Sequence, residues 1–130
     1  MLLVKTKIKF SKIHGIGLFA DEFIKKGIVI WKYQPKFDQV ISESDFNNLP
    51  ELAKQKIIFS DIKDGDSYVI LGDDSRFFNH SETPNTIGVE SEDGFGNTLA
   101  KEDINAGVEL TADYREFDDT YAQKIIDKGV

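Results

Sequence analysis

Residues 76–85 read Arg-Phe-Phe-Asn-His-Ser-Glu-Thr-Pro-Asn, and this stretch is the most informative in the chain. The two phenylalanines are typical of a buried core, yet the polar side chains of Asn79, His80 and Ser81 follow them directly. Pro84 favours an extended backbone at the residue before it and prevents a helix from continuing there. The stretch therefore predicts a rigid, non-helical polar bend that is anchored by a buried aromatic pair.

Taken alone, this bend has an ordinary explanation as well as a functional one. Asn79 and Ser81 could satisfy the backbone of a turn, and His80 could be a half-buried histidine without a special role. The alternative is a binding site that the rest of the chain is folded to hold. The stretch alone does not distinguish these two interpretations, whereas the other motifs of the sequence do.

The composition limits the class of protein. With 130 residues, 40% of them hydrophobic, we predict one domain over residues 1–130 with a single core. The absence of cysteine excludes disulfides, zinc–thiolate sites and a thiol nucleophile, and favours a reducing compartment. No apolar run approaches the roughly 20 residues of a membrane span, and no signal-peptide pattern is present. We therefore expect an intracellular, cytoplasmic protein without a membrane partner.

The charge balance is acidic, with 16 Lys and Arg residues against 23 Asp and Glu residues and a net charge of -7. Such a field repels nucleic acid and favours a basic partner. It could also serve only to keep a small protein in solution, so charge alone does not choose between the two.

Short strands separated by glycine turns dominate the sequence pattern. The alternation of apolar residues predicts a half-buried strand over Leu2–Phe10. Further strands are predicted at residues 18–20, 28–33, 67–71, 86–89, 98–100 and 109–114. Helices are predicted after Ser42 or Ser44, at residues 51–59 behind Pro50, and from Asp118 or Asp119 to Lys128. Residues 61–66 are predicted to form a solvated turn. The pattern as a whole predicts a compact, mainly β domain.

The other possible sites are weak when each is taken alone. Gly15-Ile16-Gly17 allows a ligand to approach the backbone closely, but it is only a fragment of a dinucleotide-binding fingerprint. His14 and His80 are the two histidines, and neither has a second histidine at ligand spacing, so we expect no metal site. Ser81 lacks the flanking glycines of a nucleophile elbow.

The order of three motifs is more specific than any one of them. The Gly-Ile-Gly turn at residues 15–17 comes first, residues 76–85 follow, and residues 109–114 read Glu-Leu-Thr-Ala-Asp-Tyr. Together they resemble the SET-domain protein-lysine methyltransferases, over a core from about Leu3 to Tyr114. The resemblance is closer to the minimal bacterial and viral SET proteins, which lack flanking domains; a viral member would act inside its host cell.

This resemblance implies a mainly β, SET-domain (β-clip-like) fold of small curved sheets with a few short helices. In the family, the C-terminal segment threads beneath a loop as a pseudoknot, which would bring residues 79–80 beside Tyr114. Residues 115–130 would form a C-terminal tail, with Phe117 or Tyr121 as the candidate lid over the cofactor.

The resemblance also implies S-adenosyl-L-methionine as the cofactor. Asn79 would bind its amino-acid moiety and the backbone of His80 its adenine, while Arg76 and Glu109 would support the pseudoknot. Tyr114 matches the catalytic tyrosine. The full set of cofactor-binding residues that it implies is His14, Gly15, Ile16, Gly17, Arg76, Asn79, His80 and Phe117.

The expected chemistry suits a chain without cysteine or metal-ligand clusters. Methyl transfer from a sulfonium to an amine mainly requires alignment, which can supply up to roughly 7–11 kcal/mol of the barrier. The acceptor lysine, with an ordinary pKa of about 10.4, has to lose a proton first. An apolar channel next to a positive sulfonium would lower that pKa.

Two positions depart from the family pattern. Glu82 stands where many relatives have a zinc-binding cysteine, which agrees with the absence of cysteine elsewhere. Ala112 stands where many relatives have an aromatic ring that faces the lysine channel. Alternation places Ala112 and Tyr114 on one face, so we expect dimethyl or trimethyl product unless another substrate-binding side chain, such as Tyr68, fills the space.

The partner we expect is a basic protein or peptide that contains a lysine, with no nucleic acid partner and with a homodimer as an open possibility. Two other functions remain. One is a catalytically inactive SET-like module that binds basic peptides, and the other is a SET-type methyltransferase that acts on a non-protein amine. The presence of both Tyr114 and residues 79–80 favours an active enzyme.

Overall fold

The computed structural model describes residues 1–129. Its strands are β1 (Thr6–Phe10), β2 (Ile16–Ala20), β3 (Val29–Lys32), β4 (Gln39–Ser42), β5 (Ile62–Asp64), β6 (Ser67–Ile70), β7 (Asn79–His80), β8 (Thr86–Val89), β9 (Asn97–Ala100) and β10 (Thr111–Ala112). Its helices are α1 (Glu43–Asn47), α2 (Glu51–Ser60) and α3 (Tyr121–Lys128), with 3-10 turns at Asp74–Phe77 and Tyr114–Glu116. Strands together with isolated bridges hold 33% of the residues, and helices together with the 3-10 turns hold 23%, so the predicted mainly β fold with a few short helices is confirmed.

The strands form small separate sheets rather than one large one. β1 and β2 form a hairpin, β3-β9-β8 and β4-β6-β5 form three-stranded sheets, and β7 pairs with β10. The β7–β10 pair is parallel, whereas the strand pairs of the other three sheets are antiparallel. None of the helices in residues 1–129 is long and apolar enough to cross a membrane.

The chain around β10 is enclosed on several sides, as the expected pseudoknot requires. Leu110 donates its backbone N–H to the carbonyl of Leu18 in β2 at 2.7 Å. On the β7 side, the side chain of Asn85 accepts the N–H of Thr111 at 3.0 Å and donates to the carbonyl of Glu109 at 2.8 Å. Asn85 thus supplies through its amide group the hydrogen bonds that a neighbouring strand would otherwise supply.

The main core packs around this enclosed segment. Phe78 is buried in it and Phe77 packs against it, so the aromatic pair of residues 76–85 does anchor the polar stretch that follows. A separate cluster lies under α1 and α2 and contains Phe46, Ile57 and Tyr68. The buried members of the main core are Leu18, Ala20, Ile24, Ile30, Phe78, Ala100, Ile104, Leu110 and Ala112.

The N-terminal strand is shorter and more exposed than its alternation predicts. β1 begins at Thr6, and the side chains of Ile8 and Phe10 are 44% and 92% exposed. Because β1 pairs with β2 alone in a two-stranded sheet, its apolar face lacks a second sheet to pack on. The prediction of a half-buried strand from Leu2 is therefore wrong.

Two local predictions also need correction. Residues 62–64 form β5 and pair with β6 across a turn at Gly65, which has a φ of 58°, whereas we predicted a solvated turn for residues 61–66. The stretch that begins at Arg76 is not entirely non-helical, because residues 74–77 form a 3-10 turn. The Asp73 carboxylate caps this turn by accepting the N–H of Ser75 at 3.0 Å.

The C-terminal helix α3 is fixed to the β5–β6 hairpin. The buried amine of Lys124 donates to the carboxylate of Asp118 and to the carbonyl of Asp61. The backbone N–H of Asp119 donates to the carbonyl of Lys63 at 2.9 Å. Burial of Lys124 and Asp118 together means that each charge depends on the other for compensation.

We predict that Lys124→Met lowers the free energy of unfolding by about 3–5 kcal/mol, because it leaves the Asp118 carboxylate buried without its cation. The matched control is Lys7→Met, which removes an exposed ion pair with Asp21 at 3.2 Å and should cost about 0–1 kcal/mol. Urea denaturation of the two variants measures both values. Equal losses would contradict the structural role of the buried pair.

Candidate active site

The enclosed segment places Tyr114 directly after β10, where its side chain is 3% exposed. The hydroxyl donates a hydrogen bond to the carbonyl of Phe78 at 2.5 Å and accepts one from Nζ of Lys128 at 3.2 Å. Burial raises the pKa of Tyr114 well above its ordinary value, and the nearby Asp118 carboxylate adds to the shift. The hydroxyl is therefore neutral at physiological pH.

His80 holds the backbone of Tyr114 in place. Its Nδ1 accepts the N–H of Tyr114 at 3.2 Å, and the two ring centroids lie 5.2 Å apart. The carboxylate of Asp113 lies 3.8 Å from the same Nδ1. Hydrogen bonding from Arg115 is what chiefly lowers the pKa of Asp113. No sequence pattern indicates that the His80 side chain positions Tyr114.

Asn79, which is 2% exposed, connects the first motif to the third. Its Nδ2 donates to the carbonyls of His14 at 3.1 Å and Ile16 at 3.3 Å, and to Oε2 of Glu109 at 2.9 Å. All three partners are acceptors, which assigns the nitrogen of the amide. The hydrogen bonds within residues 1–129 leave Oδ1 of Asn79 without a donor.

The Gly-Ile-Gly turn fits closely over Glu109. A Cβ atom at Gly17 would collide with the Glu109 carboxylate, and Gly15 has a φ of 41°, so both positions favour glycine. The hydroxyl of Ser11 donates to the same carboxylate, at 2.8 and 2.9 Å from its two oxygens. Ser11 is a further contributor that sequence reasoning missed, since a serine in a loop carries no signal of its own.

A cavity of ~560 Å³ opens beside Tyr114. This volume lies in the range of small-molecule sites, about 300–1,000 Å³. Ala112 and Phe117 line the same cavity, and the ring of Phe117 meets that of Tyr114 edge-on with centroids 6.1 Å apart. The charged residues that line it are five acidic and three basic: Asp61, Asp64, Glu90, Glu116 and Asp118 against Arg76, Lys124 and Lys128.

Lys128 is the functional candidate that sequence reasoning missed entirely. Its amine contacts the Tyr114 hydroxyl and lies 5.2 Å from the centroid of the Tyr114 ring and 5.0 Å from that of Phe59. Burial lowers the pKa of Lys128 to about 8, and the positive charge of Lys124 contributes to the shift. In the sequence, Lys128 looks like any other lysine at the end of a helix, so no local pattern reveals it.

Two predicted site residues do not take the roles that the resemblance implies. Arg76 lines the cavity, but its guanidinium donates to the carbonyl of Leu71 at 2.6 Å rather than to the pseudoknot. Tyr68 stacks on Phe46 with ring centroids 4.0 Å apart, on the face of β6 that packs under α1 and α2. Val69 and Leu71, at the opposite alternation, line the cavity. Tyr68 therefore does not fill the space beside Ala112, and its predicted place in the substrate channel is not supported.

Comparison with known proteins agrees with this geometry. A sequence model of the SET domain matches residues 15–115. The structure resembles a chain of apo ctPRC2 with two mutations in Ezh2, with a TM-score of 0.68 and 21% identity over 93% of this chain and 16% of that one. It also resembles a candidate histone methyltransferase of Plasmodium falciparum, with a TM-score of 0.59 and 19% identity over 87% of this chain and 95% of that one.

The present chain thus spans a small part of the first of these matched chains and nearly all of the second. At such identities the structural likeness establishes the fold, while the sequence model establishes membership. It matches most of the chain and includes the glycine turn, residues 76–85 and the segment that ends at Tyr114. The chain belongs to the SET-domain family and has the fold of its methyltransferases.

Proposed function

We propose that this protein is an S-adenosyl-L-methionine-dependent protein-lysine N-methyltransferase that acts on a lysine of a basic protein or peptide. One observation carries the proposal. The buried, neutral hydroxyl of Tyr114 is held by the carbonyl of Phe78 and binds a lysine amine, that of Lys128. A site that already accommodates a lysine amine against a fixed tyrosine hydroxyl suits an enzyme that orients such an amine.

The residues present fit S-adenosyl-L-methionine, which would supply an electrophilic methyl group on a sulfonium. Oδ1 of Asn79 is an acceptor in a buried residue without a donor among residues 1–129, which suits the ammonium of the amino-acid moiety. No atom lies within 4 Å of the position that a Cβ of Gly15 would occupy, so a ligand can approach the backbone of the turn there. Residues 14–17 and 79–80 do not line the cavity beside Tyr114, so the excess of carboxylates in its lining favours a cationic substrate on the Tyr114 side.

The protein's own groups would then do three things. Tyr114 would orient the acceptor amine through a neutral hydroxyl that adds no charge to the site. Burial among aromatic rings would lower the pKa of the acceptor, as it does for Lys128, so that a neutral amine with a free lone pair is available. The ring of Phe117, edge-on to Tyr114, would exclude water from the reacting atoms.

The choice of substrate follows from charge and space. The net charge of -7 favours association with a basic segment, most strongly at low ionic strength. Ala112 lines the cavity next to Tyr114 and leaves room for an amine that already carries methyl groups. The expectation of dimethyl or trimethyl product therefore stays a prediction of this proposal.

The rival function is a module that binds a basic peptide without catalysis. The tyrosine hydroxyl already has both a donor and an acceptor partner, which is the observation that favours a purely binding role. Cofactor binding and turnover, measured separately, distinguish the two functions.

We predict that calorimetry detects binding of S-adenosyl-L-methionine and S-adenosyl-L-homocysteine by the wild-type protein. Asn79→Ala should weaken binding by about 10-fold to 100-fold, because the bound ammonium loses its acceptor. The control is Asn105→Ala, at an exposed position outside the cavity, which should bind as the wild type does. Wild-type protein that binds neither compound would contradict the proposal.

We predict that Tyr114→Phe lowers turnover by about 100-fold while cofactor binding persists. The phenyl ring keeps its packing against His80 and Phe117 but loses the hydroxyl. Tyr33→Phe, at a tyrosine that packs against Phe95, is the control. Transfer of radiolabelled methyl groups to basic proteins of a cell lysate provides the measurement. Equal labelling by Tyr114→Phe and the wild type would reduce Tyr114 to a packing residue.

A further inference from the structure

We propose that Lys128 is itself a modification site, methylated in cis at its amine within the cavity beside Tyr114. This inference rests on the proposed function. It goes beyond it by naming a particular acceptor, which lies on the C-terminal helix of the same chain.

The surroundings of the Lys128 amine are those of an acceptor rather than of a solvated lysine. Nζ lies 3.2 Å from the Tyr114 hydroxyl, the group that would orient any substrate amine. The faces of Phe59 and Tyr114 lie 5.0 and 5.2 Å from it. Aromatic faces at this distance attract ammonium groups, including methylated ones, so the methylated product would also find a favourable environment.

The helix that carries Lys128 is held in position independently of that contact. Lys124 lies one turn earlier on the same face of α3, and its buried amine bonds to Asp118 and to the carbonyl of Asp61. The backbone of Asp119 is bonded to Lys63. Because these contacts fix α3 against β5, Lys128 is presented to Tyr114 as an intramolecular group at high effective concentration.

The protonation state of Lys128 supports the same assignment. Burial is the main cause that lowers the pKa of Lys128 to about 8. The nearby Lys124 cation contributes to this decrease, and the Asp118 carboxylate acts against it. The third ionisable group that faces it, the Tyr114 hydroxyl, is neutral. With a pKa of about 8, roughly a tenth of Lys128 is the free amine at pH 7, and the fraction rises as the pH approaches 8. The free amine is the form that methyl transfer requires.

The transfer step balances with one co-reactant, a methyl sulfonium donor of the S-adenosylmethionine type. The lone pair of Nζ forms the new N–C bond while the S–C bond of the methyl group breaks. The electron pair of that bond stays on sulfur and gives a neutral thioether. The methylated ammonium loses its proton to solvent before any second transfer.

The direct test is incubation of the purified protein with a methyl-deuterated cofactor and no other substrate, followed by peptide mass spectrometry. We expect deuterated methyl groups on Lys128 and none on Lys56, an exposed lysine of α2 that serves as an internal control. The fraction labelled per unit time should not change with protein concentration, because the reaction is intramolecular. Lys128→Arg and Tyr114→Phe should each lose the label at this position.

A second readout needs no cofactor and no turnover. In the ligand-free protein, the side-chain NMR signals of Lys128 should titrate near pH 8, below the ordinary lysine value of 10.5. Tyr114→Phe should shift the Lys128 signals and leave those of Lys56 unchanged. A measured pKa of Lys128 near the ordinary lysine value of 10.5 would contradict the acceptor environment proposed for its amine.

The failure of this inference is distinguishable from failure of the proposed function. If the wild type labels an added basic protein but not Lys128, the inference is overturned and the proposed function stands. The same holds if Lys128→Arg accelerates labelling of the added protein while wild-type Lys128 stays unmodified, since Lys128 would then only block the site. If the protein neither binds the cofactor nor labels any acceptor, both proposals are overturned.

Discussion

The structure depends on the enclosure of one short segment, residues 109–112, between β2 and β7. Parallel pairing aligns Thr111 with Asn79 and Ala112 with His80. It therefore sets the positions of the amide that reaches the glycine turn and of the imidazole that holds Tyr114. The side-chain amide of Asn85 completes the enclosure, because its nitrogen donates to the carbonyl of Glu109 and its oxygen accepts the N–H of Thr111. Groups that are far apart in the chain thus meet because one backbone segment is hydrogen-bonded to β2, to β7 and to Asn85 inside the fold.

The surroundings of Asn79 and of Tyr114 differ in their electrostatic character. Around Asn79, a carboxylate and two backbone carbonyls surround one amide nitrogen, and the amide oxygen is left without a donor among residues 1–129. Around Tyr114, burial keeps the hydroxyl neutral and lowers the pKa of the neighbouring lysine. A positively charged donor and a neutral acceptor amine are the two states that methyl transfer requires. The two environments therefore suit the two reactants of the proposed reaction.

The motifs of the sequence predicted the meeting of residues 14–17, 79–80 and 114 through their family resemblance, and the structure brings these residues together. Periodicity alone could not do this, because the contacts join strands of only two residues that carry no recognisable pattern. The same limit explains the missed strand β5 and the wrong burial of β1, whose alternation is real but faces no second sheet. Residue propensity predicts that a segment forms a strand, but the elements that pack against the strand determine how deeply it is buried.

Tyr68 and Lys128 show the remaining limit. From the sequence, we name Tyr68 as a side chain that would fill the space beside Ala112, yet the alternation of β6 directs it under α1 and α2. No sequence pattern points to Lys128, because its environment is made by Phe59 on α2 and Tyr114 after β10, which only the folded chain brings near. A lysine in a helix is usually solvated, so its burial is a property of the tertiary structure.

The most direct test of this account is NMR mapping of S-adenosyl-L-homocysteine on the isotopically labelled protein. We predict that the largest chemical-shift changes occur at the backbone amides of Gly15, Gly17, Asn79 and His80, and that they saturate together with one affinity. Absence of saturable changes at these four amides, or changes confined to the β4-β6-β5 sheet, would contradict the claim that the enclosed segment builds a cofactor site.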